Sequence, residues 1–162
     1  MKRLALALAA SALSLAPAAR AFAGDAKGTL THPRGTLELK YAYLVKGPDA
    51  VDTSKTIRRL ILSAMDLGAS LDACATMFCS DGELTEGMTV DLDGGPRLNY
   101  WMAIKGGMVQ YSGTEEISAL ALKSDEPGKL SGKLSLDDSG AGGPKVEVEF
   151  DAALLKTFDK AR

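Results

Sequence analysis

The segment from Leu98 to Ser112, LNYWMAIKGGMVQYS, constrains the fold more than any other part of the chain. Its two arms alternate apolar and polar residues around Gly106-Gly107, and a period of two is the mark of β-strands with one buried face. Glycine tolerates the positive φ angles that two-residue hairpin turns demand, so the expected register pairs Lys105 with Met108, Ile104 with Val109 and Met102 with Tyr111. Cross-strand partners share a face. The expected core face then carries Leu98, Tyr100, Met102, Ile104, Val109 and Tyr111, and the opposite face carries Asn99, Trp101, Ala103, Lys105, Met108 and Gln110.

The same period recurs along the chain. Thr36 to Lys46 puts Leu37, Leu39, Tyr41, Tyr43 and Val45 on one parity and reads as a half-buried strand ended by Gly47-Pro48-Asp49. Ile57 to Ser63, Met88 to Leu92, Ile117 to Lys123, Leu130 to Leu136 and Lys145 to Asp151 read as further strands, and Gly28 to Thr31 as a short edge strand. Asp137 to Pro144, DDSGAGGP, is a hairpin loop, and Ala152 to Phe158 either extends the last strand or forms a terminal helix. Only Asp66 to Phe78 changes period: Leu67, Leu71, Cys74, Ala75 and Phe78 form a 3.6-residue stripe, a short helix ending near the cysteines. Seven or eight strands with one helix imply a mainly β fold, an antiparallel β-sandwich or flattened barrel. A parallel α/β sheet would need several crossover helices.

The first residues are set aside. Lys2-Arg3, the apolar run from Leu4 to Ala10 and the closing Ala21-Phe22-Ala23 have the form of a signal peptide cleaved after residue 23, which leaves 24–162 as one domain. Removing Lys2, Arg3 and Arg20 takes the formal net charge from −2 to −5. A mildly acidic chain has no basic excess to attract phosphates, so nucleic acid is not an expected partner. No second apolar stretch reaches the roughly 18 residues that cross a bilayer, so a periplasmic or secreted protein is expected.

In an oxidising compartment the two cysteines, Cys74 and Cys79, are expected to form a structural disulfide, the alternative being free or metal-binding thiols. Residues five apart in a continuous helix lie beyond the ~7 Å limit on Cα separation for such a bond, so the helix must break before Cys79. The spacing is not the C-x-x-C of redox enzymes.

Catalytic chemistry is scarce. His32 is the only histidine and stands beside Pro33, so no multi-histidine metal site can be built. Asp91, Asp93 and Gly94 in VDLDGGP resemble a fragment of a calcium loop but lack its later ligands, and read as a strand ending in an Asp-Gly turn. Gly106-Gly107 and Gly142-Gly143 read as hairpin turns, not phosphate loops. Glu115-Glu116 would point to opposite faces of a strand, and Glu147 with Glu149 reads as a solvated sheet face. No catalytic residue, metal ligand or cofactor is assigned. Trp101 stands out instead: on the face opposite the expected core, with Asn99 and Gln110 nearby, it is either covered by the second sheet or the cysteine loop or left exposed, where an aromatic can stack on a sugar or anchor a protein partner.

Two spans resemble a known family. Residues 35–64, GTLELKYAYLVKGPDAVDTSKTIRRLILSA, and 129–158, KLSGKLSLDDSGAGGPKVEVEFDAALLKTF, are similar to the opening and the closing hairpin of a family of small exported bacterial proteins of unknown function. The resemblance implies an exported β-sandwich and brings no catalytic residues. The Cys74 to Cys79 segment and the 98–112 hairpin lie outside it.

The leading expectation is a non-enzymatic periplasmic binding or interaction module that holds a protein, peptide or glycan through Trp101, Asn99 and Gln110. The alternatives are a small hydrolase-like or metal-dependent enzyme in which His32 converges with Asp91 and Asp93, and a structural accessory subunit.

Overall fold

The computed structural model describes residues 23–106 and 109–162, with Val109 and Gln110 placed by their backbone alone. The signal segment, apart from Ala23, and the expected Lys105–Met108 turn pair lie outside the described residues, as do the side chains of Val109 and Gln110.

Among the described residues nine strands are present: β1 (Gly24–His32), β2 (Gly35–Pro48), β3 (Thr56–Ser63), β4 (Gly87–Leu92), β5 (Arg97–Ala103), β6 (Val109–Glu116), β7 (Leu120–Glu126), β8 (Lys129–Asp137) and β9 (Lys145–Thr157). Two short helices, α1 (Gly68–Ala73) and α2 (Met77–Glu83), lie between β3 and β4. The strands form one sheet in the order β6-β5-β4-β3-β2-β1-β9-β8-β7, with neighbours antiparallel and a short parallel contact between β2 and the end of β9. This corrects the sandwich: the chain makes a single curled sheet, a half-barrel.

The connection between the two edge strands accounts for the curl. Stepping along the antiparallel neighbours, β6 and β7 run in the same direction, and only the 3₁₀ turn Ile117–Ala119 separates them. Three residues and their flanking bonds span at most ~14 Å, whereas a flat nine-stranded sheet would be ~38 Å wide. The two edges are therefore drawn toward each other, and the expected strand beginning at Ile117 is instead a corner followed by β7.

Inside the curl lies the larger core, with Leu30, Leu44, Leu60, Met88, Tyr100, Leu134 and Val148 buried. A second core sits on the outer face of β2 and β3, where Tyr43, Val45, Ile57 and Ile61 pack under Leu71 of α1, Met77 of α2 and Phe158. Strands β2, β3 and β4 are thus buried on both faces in their central parts, and every residue of β4 is buried. The half-buried reading of Thr36 to Lys46 holds only to Lys40; Ala42 to Val45 are all buried, Ala42 and Leu44 inward and Tyr43 and Val45 outward. The strand ends within Gly47-Pro48-Asp49 as expected, at Pro48, and Gly47 is also a point of close approach, where a Cβ would lie 2.5 Å from the Met77 side chain. The presumed edge strand, β1, is central, paired with β2 on one side and β9 on the other. Ala152 to Thr157 continues β9 as strand.

In the 98–112 hairpin Met102 does pair with Tyr111, but the next pair is Ala103 with Val109, not Ile104 with Val109. A register shift between them lengthens the loop, and Lys105 (φ 51°) and Gly106 (φ 135°) carry the positive angles.

The helical segment breaks as the disulfide requires. Cys74 ends α1 in an extended conformation, and Thr76 opens α2 by accepting the Cys79 N–H at 3.2 Å, satisfying one orphan donor. Cys74 and Cys79 are bonded, with Cα atoms 5.5 Å apart. The new phase corrects the expected stripe: Met77 and Ser80 are buried, while Ala75 and Phe78 are exposed.

Two tyrosine hydroxyls pin distant segments. Tyr43 donates to Asp66 and accepts the Leu67 N–H, both at 2.7 Å, which fixes the approach to α1. Tyr100 donates to Asp138 and stacks with Tyr111. Burial first, and then the carboxylate partner, holds both phenols well above their ordinary ionisation range. A group whose folded pKa is raised contributes stability that is complete below its unfolded value, near pH 10, and declines above it. Alkaline titration is expected to release phenolate absorbance from Tyr43 and Tyr100 only together with loss of far-ultraviolet circular dichroism. Full phenolate absorbance from all four tyrosines of a still-folded chain would contradict this assignment.

Candidate functional site

Adjacent residues on a strand point to opposite faces, and the pair Arg58-Arg59 in β3 sends one guanidinium to each side of the sheet. Each finds an acid. On the outer face Arg59 lies directly across from Asp91 of β4, bonding its two oxygens from Nε at 2.5 Å and Nη2 at 2.9 Å. Its Nη1 reaches Asp81 of α2 and the Met77 carbonyl. Arg59 and Asp91 are both buried, at 5% and 7% exposure. Burial works against the Arg59 charge, but Asp91 and then Asp81 outweigh it and hold the guanidinium above its ordinary value. Burial, with the like charge of Asp91, pushes Asp81 up against the pull of Arg59. The fork geometry suits arginine, which presents paired donors to one carboxylate.

On the other side Arg58 binds Asp93 at 2.6 Å and Asp125 of the edge strand β7. Asp91 and Asp93, read as a possible calcium fragment, are thus held by different arginines. His32 stands at the opposite end of the sheet. It pairs with Gly35, and Gly35 is ten residues along β2 from Val45, the residue level with Arg59 and Asp91, or ~33 Å of strand. The structure does not bring His32 together with Asp91 and Asp93. Cys74, Cys79 and Glu83 have donor atoms within 4.8 Å of one another, but both sulfurs are committed to the disulfide.

The outer face of β3, β4 and β5 floors a cavity of about 850 Å³. Trp101 and Asn99 of β5 both line it, and both are half-buried. The parity expectation therefore placed these two on the right face, while helix α2 and the connector after β2 supply the walls. The Arg59 guanidinium lies 5.8 Å from the Trp101 ring centre, within range of a cation–π contact that also fixes the indole. The side chain of Gln110, the third expected residue, lies outside the described residues.

Sequence reasoning missed Arg59, Asp81, Thr89 and Phe78. Two signals were present. A charged pair inside the apolar strand IRRLILS, with an aspartate inside the apolar strand MTVDL, points to a buried cross-strand ion pair. Thr76 is a favoured N-cap residue and marks where the second helix restarts, which turns Phe78 outward to the cavity rim at 59% exposure. The rim is completed by the chain end: Lys160 and Ala161 accept the first N–H groups of α2, and Arg162 lies over the Phe78 ring.

Fold and site together define a curled antiparallel β protein with an ion-paired, aromatic cavity on its convex side. Comparison with known protein families, characterised proteins and solved structures found no match to this chain. No helix among the described residues is long and apolar enough to cross a membrane.

Proposed function

We propose that this protein is an exported, non-enzymatic binding module whose ligand occupies the cavity on the outer face of β3, β4 and β5. The observation that carries the reading is the cavity itself. Its volume of about 850 Å³ falls in the range of small-molecule and peptide-side-chain sites, roughly 300 to 1,000 Å³. Its wall combines an aromatic platform, Trp101, and apolar side chains such as Ile57 and Leu84 with polar and charged groups that can orient a ligand, among them Asn99, Asp49 and Arg162. Two of the exposed large apolar side chains of the chain, Val51 and Phe78, lie on its rim, where a ligand would cover them.

Export is supported by the amino-terminal signal pattern and by a disulfide within one short segment, which suits an oxidising compartment. The periplasm is the compartment proposed. A non-enzymatic role is supported by the placement of the single histidine far from the cavity and by the commitment of both cysteines to each other.

The test uses Trp101, the only tryptophan. The uncharged apolar dye N-phenyl-1-naphthylamine absorbs where tryptophan emits. Titrated into the mature protein, it is expected to bind saturably at one site and to quench Trp101 by energy transfer. A linear, unsaturable response with unchanged Trp101 emission would overturn the proposal.

A further inference from the structure

We infer that the cavity takes an organic cation: an ammonium or guanidinium group drawn by the uncompensated carboxylates of Asp81 and Asp49, carried on an apolar or aromatic body that lies against Trp101. This inference rests on the cavity being the binding site and adds the charge of its occupant.

The lining carries seven charged side chains, four aspartates against three bases. Two of the bases are engaged within the wall. Arg59 is forked onto Asp91, from Nε at 2.5 Å and Nη2 at 2.9 Å, and Lys55 lies 3.7 Å from Asp52. Each of those pairs is neutral. Asp81 shares Arg59 with Asp91, so one negative charge of the trio has no counterpart in the wall, and the Asp81 side chain, 41% exposed, is open to a further partner. Burial and the charge of Asp91 already push the Asp81 carboxyl up, as expected of a carboxylate short of positive charge. Asp49 is half-buried and makes no ion pair among the described residues; one of its oxygens accepts the Val51 N–H at 2.8 Å. Two carboxylates are thus left against one base, Arg162.

Arg162 stands where a ligand cation would go. Its side chain is exposed, makes no ion pair among the described residues, and rests its guanidinium 5.8 Å from the Phe78 ring centre at the rim. Arg59 lies at the same 5.8 Å from Trp101. Both aromatic rings of the lining therefore hold a cation near them, where a negative wall and the negative face of a ring act together. Arg59 is buried and fixed by two acids, whereas Arg162 is held by an exposed contact and can give way to a ligand. An anion would meet Arg162 but be repelled by the two remaining carboxylates. A neutral occupant would displace the water that now solvates those carboxylates and offer them no charge in return.

The experiment is displacement of N-phenyl-1-naphthylamine from the mature protein, read at Trp101 at low ionic strength. Three probes share a phenyl ring and differ in charge: 2-phenylethylammonium, 2-phenylethanol and 3-phenylpropanoate. The ammonium is expected to displace the dye about tenfold more effectively than the alcohol, and the carboxylate to be weaker than the alcohol. Arg162→Gln removes the competing cation from an exposed position and is expected to improve displacement by the ammonium about threefold. The double variant Asp49→Asn with Asp81→Asn keeps the Arg59–Asp91 pair, turns the surplus charge of the lining positive, and is expected to place the carboxylate above the ammonium. Equal or better displacement by the alcohol or the carboxylate from the parent protein would overturn the inference. So would an Arg162→Gln protein in which the carboxylate weakens and the ammonium is unchanged, since Arg162 would then be an anion anchor, or a folded double variant that still prefers the ammonium. If the double variant does not fold, the parent protein and Arg162→Gln decide the question between them. Contrary results obtained with the dye still bound saturably would leave the cavity as a binding site and remove only its cationic assignment; failure of the dye itself to bind removes both.

Discussion

Replacing Arg59 with methionine is expected to cost about 3 to 5 kcal/mol of folding stability, because it leaves the buried Asp91 carboxylate without its partner. Urea unfolding reads the effect as a lower transition midpoint with an unchanged slope. Methionine fills much of the same volume, so the loss comes from the orphaned charge and not from a void. Adding Asp91→Leu to Arg59→Met should recover most of the loss, since removing both members of a buried pair is often close to neutral. A single substitution costing under about 1 kcal/mol would mean that Arg59 and Asp91 do not form a buried ion pair, and the floor of the cavity would have to be described differently.

The second large effect is expected at Gly28, where β1 is held between β2 and β9. The register of β1 on β2 shifts between Asp25 and Gly28, and a Cβ at Gly28 would lie 2.0 Å from the Glu147 carbonyl oxygen and 2.4 Å from the Val148 Cα. Both are backbone atoms of β9 and cannot step aside as a flexible side chain could. Gly28→Val should therefore part β1 from β9 and lose about 3 kcal/mol or more. Gly128→Ala is the control: nothing lies within 4 Å of the added carbon, and the change should fall within about 0.5 kcal/mol. Amide exchange would locate the damage, with protection lost along β1 and the facing part of β9 and retained in β4 and β5. Unchanged protection in β1 would show that the bulge relaxes without opening the seam.

These two positions also mark what the sequence could and could not disclose. Period-two alternation identified most strands, and it put Trp101 and Asn99 on a shared face away from the inner core, where both line the cavity. Alternation says nothing about whether the polar-looking face is later covered. The outward residues Tyr43 and Val45 became a second core because α1 and α2 fold over them. Nor does it say which strands meet: β1 joins β9 across almost the whole chain, through a glycine whose role is close approach. The hairpin register failed by one residue beyond Met102 because a bulge sits there, and a bulge leaves the composition of the arms unchanged. The cavity draws its floor and walls from separate stretches, the connector after β2, β3, α2, β4, β5 and Arg162 among them, so no local window of sequence contains it. Arg59 carried a legible sign, a charge inside an apolar strand, but its partner Asp81 lies on a helix whose start is set by a single threonine cap.

The central claim is that the outer cavity is where this protein binds its ligand, and Gly82 gives the most direct access to it. Gly82 lies on the α2 wall, and a Cβ there meets nothing within 4 Å. Gly82→Phe therefore adds a ring at the cavity lining without a clash at its base, improves the helix propensity of α2, and keeps Trp101 as the only tryptophan. The variant is expected to unfold at or above the temperature of the parent protein and to lose saturable N-phenyl-1-naphthylamine binding and the accompanying quenching of Trp101. A Gly82→Phe protein that is equally stable and binds the dye as the parent does would place the binding site elsewhere on the molecule and contradict the account.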